Sequence, residues 1–408
     1  MDDIGASVAA VWRIESARIV ATLARATSDV GQAEDLAQEA LLEALQQWPE
    51  SGVPRNPGAW LTAVAKRRAI DAWRRRAALD DRYRLLARDL EEEVDDTWQP
   101  IDDDVLRLVF TACHPVLSRE ASIALTLRLV GGLGTEVIAR MFLVPVATVQ
   151  QRIVRAKKSL AAAGVPFEVP EPSEWRARLD AVLGVVYLIF TEGYAATSGD
   201  RWLRTEVAHE ALRLGRVLAG LLPREPEVLG LLALMELQAS RFAARTAADG
   251  SPVLLEDQDR TRWDRAQISR GRAALLRADR VGRGRGAYGL QAAIAECHAV
   301  APSVADTDWE RIVLLYEVLG RVAPSPVVEL NRAVAVSMAT GPASALLIVD
   351  RLSSEGALRG SHLLPGVRGE LLLRLGRRAE ARAEFATAAA LAGNERTRAL
   401  LESRASSL

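Results

Sequence analysis

The sequence has few cysteines, no long apolar run and almost no β-branched alternation, and each shortage excludes a class of protein. Two cysteines in 408 residues cannot build a disulfide framework, so a secreted disulfide scaffold is excluded and a reducing compartment is favoured. No window of eighteen apolar residues exists, which argues against a transmembrane helix. Asp2, Asp3, Arg13, Glu15 and Arg18 interrupt the first thirty residues, so the sequence predicts no signal peptide. We therefore expect a cytoplasmic protein that does not associate with a membrane.

Helical periodicity replaces the missing β pattern along most of the chain. Apolar residues make up 49% of the sequence, enough for each domain to bury a core, and the length predicts two to four domains. The net charge of -1 conceals strong local segregation of charge. The predicted fold class is all-α.

Residues 134–160 have the pattern of a helix-turn-helix. Val137, Ile138 and Met141 predict a short first helix, and the bend at 142–145 contains a proline that suits the start of a second helix. The second helix would bury four residues at 3-4-4 spacing and could enter a DNA major groove. The alternative is a plain helical hairpin with a solvated basic face. The buried stripe is Val149, Ile153, Ala156 and Leu160, and the exposed candidates for DNA binding are Thr148, Gln150, Gln151, Arg152, Arg155 and Lys158.

A predicted helix over 31–48 has an acidic outer face, and Asp29 or Ser28 is its expected N-cap. Solvation explains such a face, and docking of a basic partner is the alternative. The inward positions are Leu36, Ala40 and Leu45, and the outer face holds Glu34, Asp35, Gln38, Glu39 and Glu43.

A predicted loop over Pro49–Pro57 precedes a strongly basic helix over 58–76. Residues 55–76 contain seven basic residues and one acid, which favours an anionic partner with salt-dependent affinity over a merely solvated face. Tryptophans interleaved with the cations suit stacking on unpaired bases. The apolar face is Trp60, Leu61, Val64, Ile70 and Trp73, and the DNA-binding candidates are Arg55, Asn56, Lys66, Arg67, Arg74, Arg75 and Arg76.

Residues 80–104 reverse the charge, with eleven acids against three arginines, and predict a flexible or partly helical acidic linker. Asp102, Asp103 and Asp104 are expected to cap the helix that follows, because consecutive residues on a helix point in different directions and cannot share a metal ion.

These segments, in this order, resemble the two conserved domains of an extracytoplasmic-function (ECF) bacterial sigma factor. The resemblance rests on AEDLAQEALLEAL at 33–45, PGAWLTAVAKRRAIDAWRRR at 57–76, and the helix pair within 135–160. It implies that Asp35, Gln38 and Glu39 bind core RNA polymerase, that the loop and basic helix engage the −10 element, and that the second helix of the pair reads the −35 element. The departures are Lys66-Arg67-Arg68, where many members carry an asparagine, and the Gln150-Gln151 pair.

The chain continues far beyond the point where ordinary members end, near residue 165. Residues 164–194 and 255–271 resemble the ECF subgroup that has a helical C-terminal extension with tetratricopeptide-like (TPR-like) repeats. Gly341 and Gly376 lie 35 residues apart, close to the 34-residue repeat period, and each separates two predicted helices. Such helix pairs stack into a continuous core with a concave binding surface.

The predicted organisation is a −10 and polymerase-binding domain over 1–78, the acidic linker over 79–101, and a −35-binding domain over 102–163. A short linker over 164–174 and a regulatory extension over 175–408 follow. We expect core RNA polymerase and promoter DNA as partners, with the extension docking another protein or the chain's own modules. The alternative function is a TPR-containing helix-turn-helix regulator that acts without being a polymerase subunit.

No catalytic residue, metal site or cofactor is predicted, and the chain is expected not to be an enzyme. The Cys113-His114 and Cys297-His298 pairs lack the CxxC spacing of zinc sites. The glycine-rich stretch 281–289 follows no predicted strand, so an interhelical loop is favoured over a phosphate loop. The polar cluster over 257–264 is interpreted as capping and interhelix ion pairs, with a ligand or docking site as the alternative.

Overall fold

The computed structural model describes residues 2–77, 102–142, 144–194, 204–247 and 251–408. These residues form eighteen α-helices and no β-strand, which confirms the all-α prediction. Only an isolated antiparallel bridge between Thr246 and Pro252 has β geometry among them. The chain divides into two compact units, Met1–Val186 (unit 1) and Tyr187–Leu408 (unit 2), and each is described by itself.

Unit 1 contains seven complete helices and the first part of an eighth. They are α1 (Asp2–Thr27), α2 (Val30–Ser51), α3 (Pro57–Ala77), α4 (Asp102–Ala112), α5 (Arg119–Leu129), α6 (Thr135–Phe142), α7 (Val146–Ala162) and α8 (Trp175–Tyr194).

Local sequence signals fix several of these boundaries. The side chain of Asp29 accepts hydrogen bonds from the backbone N–H groups of Gly31 and Gln32, so Asp29 is the N-cap of α2. Ser118 caps α5 in the same way by accepting from Ala121 N. Asp29 is thus the cap among the two predicted candidates, and the other, Ser28, adopts a positive φ of 53° at the end of α1.

The predicted start of the loop at Pro49 is wrong. Helix α2 continues through Pro49 to Ser51, and the loop begins at Gly52, where φ is +79°. Trp48 is 1% exposed and packs edge-on against Trp60 at a centroid distance of 5.3 Å. This packing holds the last turn of α2, where a proline disturbs only one remaining turn of backbone hydrogen bonds.

The prediction that the aspartates before α4 act only as caps is also incomplete. Asp102 begins α4, and Asp104 lies inside its first turn with 3% exposure. Its carboxylate pairs with Arg107 at 2.6 Å and with Arg25 of α1 at 3.5 Å. The side chains of Asp102 and Asp103 lie outside the described residues, as do the acidic linker over 79–101 and Leu143 in the turn.

Helix α8 begins in unit 1, and the division between the units falls within it. The indole ring of Trp175 contacts the buried ring of Phe110 in α4 at a centroid distance of 5.2 Å. Arg178 Nη2 donates a 3.0 Å hydrogen bond to the carbonyl oxygen of Phe110. The first turns of α8 therefore complete the core of unit 1.

Unit 2 is a succession of helices that pack mainly on their neighbours in the sequence. After the rest of α8 come α9 (Thr205–Leu221), α10 (Pro226–Ala239), α11 (Arg265–Val281), α12 (Ala287–Val300), α13 (Trp309–Val322), α14 (Pro326–Thr340), α15 (Pro342–Ser354), α16 (Leu363–Arg374), α17 (Arg378–Leu391) and α18 (Glu395–Ser406). Short 3-10 turns lie at Phe242–Ala244, Leu255–Asp257 and Arg260–Arg262.

The two glycines that suggested a repeat occupy the predicted interhelical turns. Gly341 has φ of +102° between α14 and α15, and Gly376 has φ of +77° between α16 and α17. Only glycine adopts these backbone conformations without strain. Leu330, Val349, Leu372 and Phe385 from these four helices join one buried cluster, so the two helix pairs stack on each other. Helix α18 was not predicted.

The glycine-rich stretch 281–289 contains the predicted interhelical loop, at 282–286, and its structure speaks against phosphate binding. The carboxylate of Glu227 in α10 accepts hydrogen bonds from Tyr288 N at 2.9 Å and Gly289 N at 3.1 Å. A Cβ at Gly286 would lie 2.4 Å from the Glu227 carboxyl carbon, so the close approach requires glycine. The protein's own carboxylate therefore occupies the helix N-terminus that a phosphate would need.

Capping accounts for two aspartates of the 257–264 cluster. Asp259 accepts from Thr261 N at 2.9 Å, and Asp264 accepts from Gln267 N at 3.0 Å as the N-cap of α11. Arg260 is 7% exposed and donates to the carbonyl oxygens of His298 and Ala301, so it binds main-chain oxygens rather than a neighbouring helix's carboxylate.

No single helix among the described residues is long and apolar enough to cross a membrane. Helices α6 and α7 together have the length and apolar composition of a membrane span, but they are bent by 113° at the turn between them.

Candidate nucleic-acid and polymerase interface

Helix α7 is held against unit 1 by the stripe that its sequence predicted. Val149, Ile153, Ala156 and Leu160 are all buried. Pro145 precedes α7 with φ of −59°, which suits the residue before a helix, and α6 meets α7 at a bend of 113°. This bend lies in the range of DNA-binding helix-turn-helix motifs. The packing fixes which side of α7 faces outward.

The outward side of α7 presents most of the residues proposed to read DNA. Gln150, Gln151, Arg155 and Lys158 are exposed, and Thr148 and Arg152 are half-buried. Val154 is 49% exposed between Gln151 and Arg155, although it was not among the predicted contacts. Because Val154 does not belong to the 3-4-4 stripe, the sequence could have predicted that it is exposed. The face thus combines amides, cations and one apolar side chain.

The loop before α3 places Arg55 and Asn56 at the surface of unit 1. Asn56 Oδ1 accepts a 3.1 Å hydrogen bond from Ala59 N, so its amide oxygen caps α3 and its NH₂ group faces away from that bond. Along α3, Arg67 is exposed and Lys66 is half-buried. The backbone of Arg74, Arg75 and Arg76 continues α3, whereas their side chains lie outside the described residues.

One cation of this helix is already paired within unit 1. Arg68 Nη2 lies 2.8 Å from Glu43 Oε2 of α2, and this hydrogen bond raises the pKa of Arg68 above its ordinary value. Trp60 is half-buried against Trp48. Arg55 and Arg67 are therefore the exposed cations of the 55–71 stretch whose side chains the structure describes and for which it records no ion pair.

The acidic face of α2 differs from its prediction at two positions. Glu34 was expected on the outer face and is 4% exposed, and Leu45 was expected inward and is 44% exposed. Leu42 is also exposed, at 58%. The outer face of α2 therefore combines the acids Asp35 and Glu39 with two leucines, while Gln38 is half-buried.

Glu34 is buried because two cations reach it from the helix-turn-helix half of unit 1. Its carboxylate lies 2.5 Å from Arg128 Nε of α5 and 2.6 Å from Lys157 Nζ of α7. Lys157 Nζ also lies 3.3 Å from Asp35 Oδ1. Arg128 lies 94 residues from Glu34 in the sequence, and Lys157 lies 122 residues from Asp35. A cation on the predicted DNA-reading helix thus contacts the predicted polymerase-binding face.

A second contact joins the same two halves of unit 1 near Gly132. This residue has φ of +65°, and a Cβ there would lie 2.4 Å from Ser16 Oγ of α1. Together with the Asp104–Arg25 pair, it packs α1 against α4 and α5. The two predicted domains of unit 1 consequently form one packed body rather than two separate modules.

The spacing of apolar residues along α2 could have predicted that Glu34 is buried. Val30, Ala33, Ala37, Ala40, Ala44 and Trp48 form its buried stripe, and Glu34 falls on the same side. A carboxylate on an apolar stripe needs a cationic partner, because burial of an unpaired charge is costly. Sequence analysis placed Glu34 with the neighbouring acids and missed both this role and the roles of Arg128 and Lys157.

Cys113 and Cys297 are both free, buried thiols. Desolvation raises the pKa of Cys113 to about 11 and raises that of Cys297 above its ordinary value. Among the residues that the structure describes, no three His, Cys, Asp or Glu side chains are grouped as metal ligands would be.

Comparison with known proteins assigns families to the described elements. Residues 13–78 match Sigma-70 region 2, residues 107–160 match Sigma-70, region 4, and residues 178–279 match a family of unknown function, DUF6596. The uncharacterized protein R00370 of Rhizobium meliloti (strain 1021) is 46% identical over 370 residues, covering 89% of this chain and 86% of its own length. No solved structure matches the chain.

Proposed function

The chain belongs to the sigma-70 family, and we propose that it is an ECF-type member whose C-terminal extension modulates its activity. As a sigma-70 factor it is a transcription initiation factor and not an enzyme, and it binds core RNA polymerase and promoter DNA. Region 2 and region 4 are separated by residues 79–106, which are too few for another independently folded domain. This short separation supports the ECF assignment.

The −35 element is read by α7 in this proposal. Arg155 and Lys158 would bind phosphates or guanine, Gln150 and Gln151 would bind adenine, and Val154 would contact a thymine methyl group. Thr148 and Arg152, at the margin of the exposed face, would complete the contact. The observation that carries the proposal is this outward face, fixed by the buried stripe of a helix-turn-helix within a region 4 match.

The −10 element is engaged by the start and outer side of α3. Arg55, the free NH₂ group of Asn56 and the cations Lys66 and Arg67 would bind the DNA backbone and an unpaired base. The backbone of Arg74, Arg75 and Arg76 continues the same helix, and these residues stay sequence-based candidates for the same contact.

Core polymerase docks on α2 through Asp35, Gln38 and Glu39. The exposed Leu42 and Leu45 extend this face by one to two turns, which gives it an apolar centre with an acidic margin. Interfaces commonly combine such an apolar core with a polar rim. A DNA regulator that acts without polymerase would not need this surface, so the family membership and the surface both favour the sigma factor.

A pull-down with core polymerase tests the docking face. We expect Glu39→Arg to weaken binding by roughly tenfold or more through charge reversal. Glu50→Arg, an exposed acid near the other end of the same helix, is the matched control and should bind like the wild type. If Glu39→Arg bound core polymerase as tightly as Glu50→Arg, the Asp35–Glu39 face of α2 would not be the docking surface.

We also propose that the protein acts in the cytoplasm. Run-off transcription with purified components tests the role of the extension. The full chain is compared with residues 1–186 rather than a fragment ending near 165, because Trp175 and Arg178 complete the unit 1 core at Phe110. A transcript level that differs between the two forms gives the sign of the modulation. Identical transcript levels from both forms would refute modulation by the extension.

A further inference from the structure

We propose that the repeats of unit 2 contain a binding site for a small, neutral, largely apolar molecule. The site is a cavity of about 400 Å³ between α14, α16, α17, α18 and the 252–256 segment. This volume lies within the range of small-molecule sites in proteins. The inference goes beyond promoter recognition and is tested by direct binding.

The wall of the cavity is apolar and accessible. Val334 of α14 and Leu363 of α16 line it and are 38% and 42% exposed, although both belong to helices of the repeat core. Val367, Leu371 and Leu401 complete this wall. Apolar side chains that face an open cavity gain free energy when a ligand displaces water from them.

Two polar atoms of residues in the wall are closed off from the cavity. Ser337 is 7% exposed, and its Oγ has less than 1 Å² of accessible surface. The Nδ1 atom of His298 is closed off to the same degree. The wall that a ligand can touch at these two residues is therefore not their polar atoms.

The charges of the cavity favour a neutral ligand. Arg374 Nη2 lies 2.9 Å from Glu256 Oε2 and its Nε lies 3.3 Å from Glu370 Oε1, while Arg404 pairs with the other oxygen of Glu370. These four side chains balance one another's charge. Arg260, also in the wall, donates to two main-chain carbonyl oxygens and to Thr307 Oγ1.

The protonation of His298 agrees with this. Burial, followed by the nearby Arg241 and Arg260, lowers the pKa of His298 to about 3, so its imidazole is neutral near pH 7. A neutral imidazole adds no charge to the wall. An ionised ligand would lose its hydration against this largely apolar wall.

Gly366 provides a test that leaves the fold in place. It lies in α16 on the cavity wall, and a Cβ added there meets no atom within 4 Å. Gly366→Leu therefore adds side-chain volume at the cavity wall with no clash at Cβ, and it replaces a poor helix former. Gly320 of α13 also has open space around an added Cβ and does not line the cavity, so Gly320→Leu is the matched control.

The probe is N-phenyl-1-naphthylamine, a neutral aromatic amine whose fluorescence rises in apolar surroundings, added to the full-length protein. We expect saturable binding of one probe per chain with Kd on the order of 10 µM. Gly366→Leu should weaken binding at least tenfold, and Gly320→Leu should leave it unchanged. Absence of saturable binding to the wild type, or equal binding by the two leucine variants, overturns the proposal.

Circular dichroism and thermal melting, recorded for both leucine variants and the wild type, establish that each is folded.

Discussion

Units 1 and 2 are both helical, but different contacts hold their helices together. In unit 1, buried charges join distant parts of the chain, as where Glu34 meets Arg128 across 94 residues. In unit 2, the buried Glu236 pairs with Arg216 and Arg270, only 20 and 34 residues away, and helices pack mainly on their neighbours. The arrangement of unit 1 thus depends on a few specific long-range pairs, whereas that of unit 2 sums many local contacts.

The largest expected effect tests the local packing of unit 2. Leu372 of α16 is fully buried in the cluster that joins the repeats. Leu372→Ala should lower the free energy of unfolding of unit 2 by about 3 kcal/mol, through lost burial and a residual cavity. Leu347→Ala on α15, where the leucine is 74% exposed, is the control and should change it by less than about 0.5 kcal/mol. Denaturant unfolding measures both, and similar losses in the two variants would contradict the packing described.

The next effect tests the long-range pairing of unit 1. Glu34→Ala leaves Arg128 and Lys157, which are 17% and 20% exposed, without their shared carboxylate. We expect the free energy of unfolding of unit 1 to fall by about 2–3 kcal/mol, because breaking a buried pair strands its charges.

Glu43→Ala supplies the control for Glu34→Ala. Glu43 also lies on α2 and also pairs with an arginine, Arg68, whose side chain is 48% exposed. Its loss should cost less than about 1 kcal/mol, as for surface ion pairs. If the two variants were equally stable in denaturant, the Glu34 contact would not hold the halves of unit 1 together.

The smallest expected effect is the pH dependence of the free energy of unfolding that the buried His298 of unit 2 contributes. The pKa of His298 is lowered from 6.5 to about 3 by burial and by Arg241 and Arg260. The neutral form is thus favoured in the folded state, so its stabilisation is complete above pH 6.5 and is lost as the pH falls toward 3. From pH 7 to pH 5.5, His298 should account for a loss of about 1 kcal/mol.

His298→Gln isolates this contribution, because glutamine does not titrate. The comparison is the pH slope of the unfolding free energy in the two proteins and not their stability at one pH. A shallower slope in His298→Gln between pH 7 and pH 5.5 is expected. Parallel slopes would mean that His298 protonates equally readily in the folded and unfolded chain.

Most helices and the outward face of α7 follow from local sequence. The 3-4-4 spacing from Val149 to Leu160 is a local property, and it correctly separated the buried stripe from the exposed glutamines and arginines. Asp29 and Ser118 were recognisable as caps because a cap bonds only to the next two or three residues.

The missed features depend on residues that are distant in sequence or on weak local signals. The cations that pair with Glu34 belong to α5 and α7. The local sequence of α2 shows a carboxylate on an apolar stripe, but it does not show which residues pair with that carboxylate. Helix α18 has no buried residue and therefore no apolar period to detect. The cavity in unit 2 is formed jointly by side chains of several helices, and no single segment carries a pattern that predicts it.

The contact of Lys157 with Glu34 and Asp35 has a consequence for exchanging parts between related factors. A region 4 transplanted from another factor to change promoter choice would bring its own residues to positions 128 and 157. Unless these are cations, the recipient's Glu34 would be left buried and uncompensated, and the chimera would be unstable whatever DNA it recognised. Grafts that retain Arg128 and Lys157 and exchange only the outward residues of α7 should keep the host protein intact.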